Sequence, residues 1–534
     1  MKKFFKYCLL LAIPAVMTTS CSEDFLDRAP GDALSPATFW KTEKDADLAL
    51  TACYRQMAGI YRAESMWYWD CTSDNQYNFH THEGYRCIAN GSMAASNAGV
   101  SYFNFLDIRT YNEYLQMENT VEFTSEAKRE QYRAEVRMLR AMTYFWKVLC
   151  YGDFPFTDQV FTSLEESKIE KTPKATILDF IKSELNACIG ALPETNAIGR
   201  VTRGAAQAFL MRVSLLTGDY AKAESMASTI MSEGKYAMPD LTYEESFLKA
   251  NQYNSEVIFT TEHVKPGYEM WFGAYMSNGY GGWSSIVPTK DLVDAYETKN
   301  GLTTDEDPEF NPENPYVNRD PRLRATILYP GQAYGIYEGT GFGSLVKGNV
   351  DHGLTANNAT HTGFNFKKFY SDLSEYDDYW SAARNFPVLR YAEVLLSYAE
   401  AKIEQGKVDA SVYDAINQVR KRAGMPNVDE AKYSTADKLR ELVRRERRVE
   451  FAYEGMRRWD IIRWNIAKDV LNQPLLRVEG ELLTTKNAEG DFDVKITNTA
   501  VEENRTFTVG KNELLPIPQS ILDANPQITQ NPGY

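Results

Sequence analysis

Beyond residue 16 no stretch of this chain approaches the roughly eighteen consecutive apolar residues that a membrane-crossing helix needs. An excess of positive charge is missing too. With 58 Lys and Arg against 73 Asp and Glu, the formal net charge is −15. That balance argues against nucleic acid and anionic lipid as partners, since both select basic surfaces. Motifs for familiar chemistry are also absent: the sequence has no G-x-S-x-G elbow, no P-loop and no H-E-x-x-H helix. Gly339 to Gly343 is glycine-rich but lacks the spacing and strand–helix context of a dinucleotide site, so it reads as a loop. No catalytic residue is assigned and no cofactor is expected.

What is present is a chain of 534 residues, 43% apolar and 25% charged, with the composition of a soluble globular protein and ample length for a large core. Its start looks like an export signal over residues 1–20. Lys2, Lys3 and Lys6 precede the apolar run Leu9–Val16, and Thr18-Thr19-Ser20 leads to Cys21. A signal ending on cysteine resembles that of a bacterial lipoprotein, with Cys21 as the lipidated first residue of a tether over 21–41. Ser22-Glu23-Asp24 resembles the acidic tag that directs such proteins to the outer face of the outer membrane.

Helical periodicity recurs along most of the rest. Residues 42–250 carry it at Asp45–Tyr61, Asn104–Glu122, Glu126–Tyr151 and Thr202–Tyr236, and residues 387–534 resume it at Leu389–Gly424. Ala208, Leu215, Gly218, Tyr220 and Ala223 fall close to tetratricopeptide spacing, where small residues let two helices pack closely. The expected fold is mostly α: a tetratricopeptide-like scaffold of helix pairs carrying a long irregular, partly β, loop-rich insertion. Residues 251–386, rich in glycine, tyrosine, asparagine and proline, form that insertion; 65–103 is a second, aromatic loop within the first helical part.

The two irregular segments hold the candidate site. A pyranose has an apolar C–H face that an indole or phenol ring can cover, and a hydroxyl rim that Asp, Asn or Arg can bond. Trp67, Trp69, Asp70, Asp74 and Asn75 make one such cluster; Tyr268, Trp271, Tyr280, Trp283 and Trp380 make another. Both interrupt the scaffold, so they are expected to converge on one face. His80, His82, Glu83, Cys71 and Cys87 share the first loop, but their spacing fits no metal template, and no metal is assigned. A Cys71–Cys87 disulfide stays open alongside free thiols. Cys53, Cys150 and Cys188 lie on expected helices and read as small buried residues.

Leu439–Trp464, LRELVRRERRVEFAYEGMRRWDIIRW, is the densest stretch of all. Leu442, Val449, Met456 and Trp459 keep helical spacing, while Arg444, Arg445, Arg447, Arg448, Arg457, Arg458 and Arg463 alternate with Glu446, Glu450, Glu454 and Asp460. Interleaved acids point to internal pairing rather than a polyanion site, with Glu454 expected to reach Arg457 or Arg458. Glu446, Arg447, Glu450, Glu454, Gly455, Arg457, Asp460, Arg463 and Trp464 resemble the ER-x-x-E-x-x-x-EG-x-R-x-x-D-x-x-RW signature of SusD/RagB-type lipoproteins. The C-terminal LPIP and QNPGY, AEVRMLRAMTYFWKVLCYGDFP at 134–155, and RDPRL at 319–323 resemble further segments of that family. The resemblance implies a lipoprotein on the exterior of the outer membrane. It would bind an oligosaccharide or polysaccharide and pass it, without catalysis, to a SusC-like TonB-dependent transporter. Peptide capture of the RagB kind, and a helical-repeat partner of the transporter with no ligand of its own, are the alternatives.

Overall fold

A computed structural model describes residues 39–534. The expected signal (1–20), Cys21 and most of the 21–41 tether lie outside the described residues. The frame consists of α1 (Glu43–Tyr61), α2 (Ala63–Trp69), α3 (Leu106–Met117), α4 (Glu126–Tyr151), α5 (Lys174–Ala191), α6 (Arg203–Leu216) and α7 (Tyr220–Glu233), then α8 (Tyr391–Glu404), α9 (Ala410–Arg422), α10 (Ala436–Glu450) and α11 (Arg457–Arg463). Most of the long helices begin at a side chain that takes up a free N–H of the first turn. Thr42 and Asp45 form a capping box at α1, and Ser125, Thr202, Asp219, Asp409 and Thr435 cap α4, α6, α7, α9 and α10.

The helices stack in sequence order. α4 packs on α5, α5 on α6, α6 on α7, α7 on α8, and α8 on both α9 and α10, while α1 and α3 pack on α4. α7 and α8 are therefore spatial neighbours although residues 234–390 separate them. The protein is a mostly helical array with the insertion looped out of it. At the base, β2 (Val257–Thr261) pairs antiparallel with β4 (Phe386–Arg390), which closes the insertion where it leaves and rejoins the frame. β1 (Gln76–Asn78) pairs with β3 (Ile286–Pro288), and a long hairpin of β5 (Leu475–Lys486) and β6 (Phe492–Glu503) follows α11.

The arginine-rich stretch is not one helix. α10 stops at Glu450, Tyr453 and Gly455 adopt left-handed backbone (φ 68 and 77), and α11 restarts at Arg457. The turn sends Glu454 away from Arg457 and Arg458. It accepts instead from Arg390 Nε and Nη2 at 2.8 Å each and from Lys368 Nζ at 2.6 Å. Glu450 receives Arg390 Nη1 at 2.6 Å, Arg322 Nη1 at 3.3 Å and Arg422, while Glu446 receives Arg322 Nη1 at 2.9 Å and Arg420. Burial alone would raise the pKa of Glu450, but the guanidiniums of Arg422, Arg390 and Arg322 outweigh it and hold the carboxyl well below the usual range. Burial dominates at Lys368, whose ammonium is pushed down to about 8. A second group joins Arg447 and Arg463 to Asp460 and Glu400, and Trp464 Nε1 donates to Glu400 at 2.6 Å. These arginines are internal ties, as the interleaved acids suggest.

Candidate ligand-binding surface

The two aromatic segments do meet, but only one of them presents indole rings to solvent. β1 of the first loop pairs with β3 of the insertion, and Trp67 stacks on Phe272 with centroids 6.0 Å apart. Trp67 is wholly buried, sandwiched by Tyr453 at 4.8 Å and flanked by Tyr275 and Phe369. Trp69 is also buried, against Trp146, Trp459 and Tyr102. Both sit on α2; Trp67 is covered by rings from Phe272 onward, and Trp69 by rings from the first helical part together with Trp459.

The polar members of that cluster are equally occupied. Asp70 accepts the backbone N–H groups of Tyr453 (3.1 Å) and Arg457 (3.2 Å), and burial pushes its carboxyl up to about 7. Asp74 receives Arg457 Nε and Nη2 at 2.8 Å each and Arg448 Nη2 at 2.9 Å; these cations overcome burial and keep it well below the usual range. Asn75 Oδ1 accepts from Arg448 Nε at 2.9 Å. Trp67, Trp69, Asp70, Asp74 and Asn75 thus anchor the turn between α10 and α11, and the expectation that they touch a ligand is corrected. Their fully buried position leaves no ring face or rim group for a sugar.

The insertion behaves differently. Of the nine tryptophans, only Trp271, Trp283 and Trp380 are exposed, at 59, 40 and 37%. Three backbone segments run side by side beneath them. Met270 and Ala382 exchange N–H···O bonds of 2.8 and 3.0 Å, Gly273 N–H donates to Tyr379 O at 3.1 Å, and Trp283 N–H donates to Gly273 O at 2.9 Å. The indoles of Trp283 and Trp380 lie 4.8 Å apart at 55°. Trp380 rests on the Gly273 backbone: a Cβ there would stand 2.3 Å from its Cε2.

Tyr280, half-buried, is fixed from below. Its hydroxyl accepts from Ile336 N–H at 3.0 Å, and its loop is held by Asp351, which accepts Gly279 N–H at 2.9 Å and the Tyr337 hydroxyl at 2.8 Å. Asp351 is buried, and burial raises its carboxyl pKa. Tyr268 stacks on buried His263, centroids 5.1 Å apart at 13°. Around the indoles stand polar groups for hydroxyls. Asp377 and Asp378 are exposed, Asp378 accepts Trp380 N–H at 2.9 Å, and His80 Nε2 lies 3.4 Å from Trp283 O. Sequence reasoning missed Asp377, Asp378 and Tyr379; the contiguous run DDYW was the available signal.

Cys71 and Cys87 are free thiols, so the open disulfide is not formed, and Cys53, Cys150 and Cys188 are buried. Among the described residues no three His, Cys, Asp or Glu side chains group as a metal site. None of the sequence-predicted residues lines the cavity of about 970 Å³ between segment 238–245, Arg324 and Lys421. Among the described residues no helix is long and apolar enough to cross a membrane.

The sequence profile of the SusD family matches residues 251–534. Over its full length the chain is similar to SusD-like protein P2 of Formosa agariphila, 24% identical across 99% of this chain and 100% of that one. It is 25% identical to the starch-binding protein SusD of Bacteroides thetaiotaomicron, over 80% of this chain and 77% of that protein. The crystal structure of a SusD-like carbohydrate-binding protein from Bacteroides fragilis superposes with a TM-score of 0.79 at 30% identity, covering 92% of this chain and 100% of that one.

Proposed function

This chain belongs to the SusD family, and on that premise we propose that it is a glycan-binding lipoprotein of the cell surface. The observation that carries the reading is the tilted pair Trp283–Trp380 with Trp271 beside it, three exposed indoles on one backbone platform. Two tilted rings suit a chain of pyranoses whose faces turn from one unit to the next, and each covered face removes apolar area from water. Asp377, Asp378 and His80 supply acceptors and a donor for the hydroxyl rim. Tyr268 and Tyr280, both half-buried, complete the proposed surface at its edges.

The platform offers binding and orientation and no catalysis. In this reading Cys21 carries the lipid that holds the protein at the outer membrane, and the bound oligosaccharide is handed to a SusC-like TonB-dependent transporter. The relatives named above, one starch-binding and one carbohydrate-binding, support a glycan over a peptide, as do flat indoles over the mixed pockets a peptide requires. Titration of the protein with neutral oligosaccharides, followed by indole fluorescence, tests the assignment. Saturable quenching lost in a Trp283→Ala/Trp380→Ala double variant is the expected result; full affinity in that variant removes the site. Metabolic acyl labelling that disappears with Cys21→Ser tests the anchor.

A further inference from the structure

A second cavity, about 550 Å³ in volume, lies between the signature stretch and the β5–β6 hairpin and shares no lining residue with the indole surface. Its walls hold five cations, Lys290, Arg444, Arg445, Arg448 and Arg457, against two carboxylates, Asp294 and Asp305. In a protein of net charge −15 that excess is unusual. Lys290 is paired with Asp294, and Asp305 is exposed.

The four arginines do have acidic partners behind them, but each partner is shared. Arg448 and Arg457 share Asp74, Arg445 and Arg420 share Glu297, and Arg444 and Arg440 share Glu404. Arg420 and Arg440 draw also on Glu446 and Asp437. Every side-chain bond of the four lining arginines runs through Nε or Nη2. Their Nη1 groups have no partner among the described residues, and Arg457 is 6% exposed. A second group in the wall is equally unspent: the hydroxyl of Tyr316, a residue 6% exposed, is buried without a hydrogen-bond partner. Burial, with Arg457 beside it, lowers the pKa of Arg448, as expected where cations crowd.

We infer that this cavity binds an oxyanion, a carboxylate or sulfate group, through the spare guanidinium N–H groups and the Tyr316 hydroxyl. Guanidinium forks match planar carboxylates and tetrahedral sulfates, and bonds to a charged acceptor are the stronger kind. The volume falls in the range of small-ligand pockets and admits an anionic sugar unit as well as a bare ion. The shared chemistry has two sources, a uronate or sulfated saccharide and free inorganic anion.

Calorimetric titration at constant ionic strength with sodium sulfate, sodium phosphate, glucuronate and glucose tests the site. Saturable uptake of the anions and none of glucose by the Trp283→Ala/Trp380→Ala double variant is expected, so failure of the indole surface leaves the test intact. Tyr316→Phe deletes a hydroxyl that bonds nothing in the protein and preserves the fold; it weakens anion uptake about tenfold. Arg444→Gln, at the half-exposed wall, does the same. Glucuronate binding more tightly than sulfate and phosphate assigns a saccharide, and the reverse order assigns a free anion. Absence of saturable uptake, or uptake unchanged in both substitutions, overturns the site.

Discussion

The indole of Trp380 lies against the backbone of Gly273, so closely that a methyl group on that glycine would stand 2.3 Å from its Cε2. The pair sets the height of one ring of the proposed sugar platform. Gly273→Ala is expected to tilt or displace Trp380 and to lower oligosaccharide affinity several-fold, with the thermal transition shifted only slightly. Calorimetry beside a melting curve measures both.

Trp67 and Trp283 should separate cleanly on substitution. Trp283→Ala removes an exposed stacking face, worth about 0.5–1.5 kcal/mol beyond area burial, and reduces affinity about tenfold while the protein stays folded. Trp67→Ala opens a cavity between Tyr453, Phe272 and Tyr275 and costs about 3–5 kcal/mol of stability. Denaturant unfolding and ligand titration on both variants decide the matter; a stable Trp67→Ala with weakened binding would reverse the two roles.

Glu450→Gln leaves Arg390, Arg422 and Arg322 around a neutral amide. Removing one partner from a buried ionic group typically costs about 3–5 kcal/mol, because the charges left behind are uncompensated. The loss should appear as a lower denaturation midpoint. Its full size is expected near pH 7 and shrinks in acid: the folded pKa of Glu450 is depressed, so the wild-type advantage is present above the unfolded carboxylate range and fades below it.

Asp70 titrates in the opposite sense. Its folded pKa is raised to about 7, so between the unfolded carboxylate value and that point the native state holds the proton that the unfolded chain has released. Stability from this group therefore falls as pH rises from about 4 to 7, by up to about 1.4 kcal/mol per unit, and is flat above. Unfolding free energies of wild type minus Asp70→Asn, measured from pH 5 to 8.5, should show that slope; a pH-independent difference contradicts it.

Much of the frame is legible in the chain because its helices carry local punctuation. Thr42-x-x-Asp45, Ser125 and Thr435 mark starts within a residue of where α1, α4 and α10 begin. The break after Glu450 is not legible. Tyr453 takes a left-handed backbone that no local preference of tyrosine requests; the N–H groups of its turn are captured by Asp70, more than 380 positions earlier. The two aromatic clusters look alike for the same reason. Trp67 and Trp283 differ in what covers them, and the rings that cover Trp67 come from residues 272, 369 and 453. The local hint lay in their company: Trp283 follows Gly281-Gly282 and Trp380 follows Asp377-Asp378-Tyr379, while Trp67 and Trp69 stand in a short helical run.

The carboxylates of Glu446, Glu450 and Glu454 are claimed from two directions, by Arg322 and Lys368 out of the loop-rich segment and by Arg390, Arg420 and Arg422 out of the frame. Excising that segment would strip two cations from a dry interior and leave acids facing an incomplete set of counter-charges. The body of the insertion is therefore expected to melt together with the helices, as a single calorimetric transition would show.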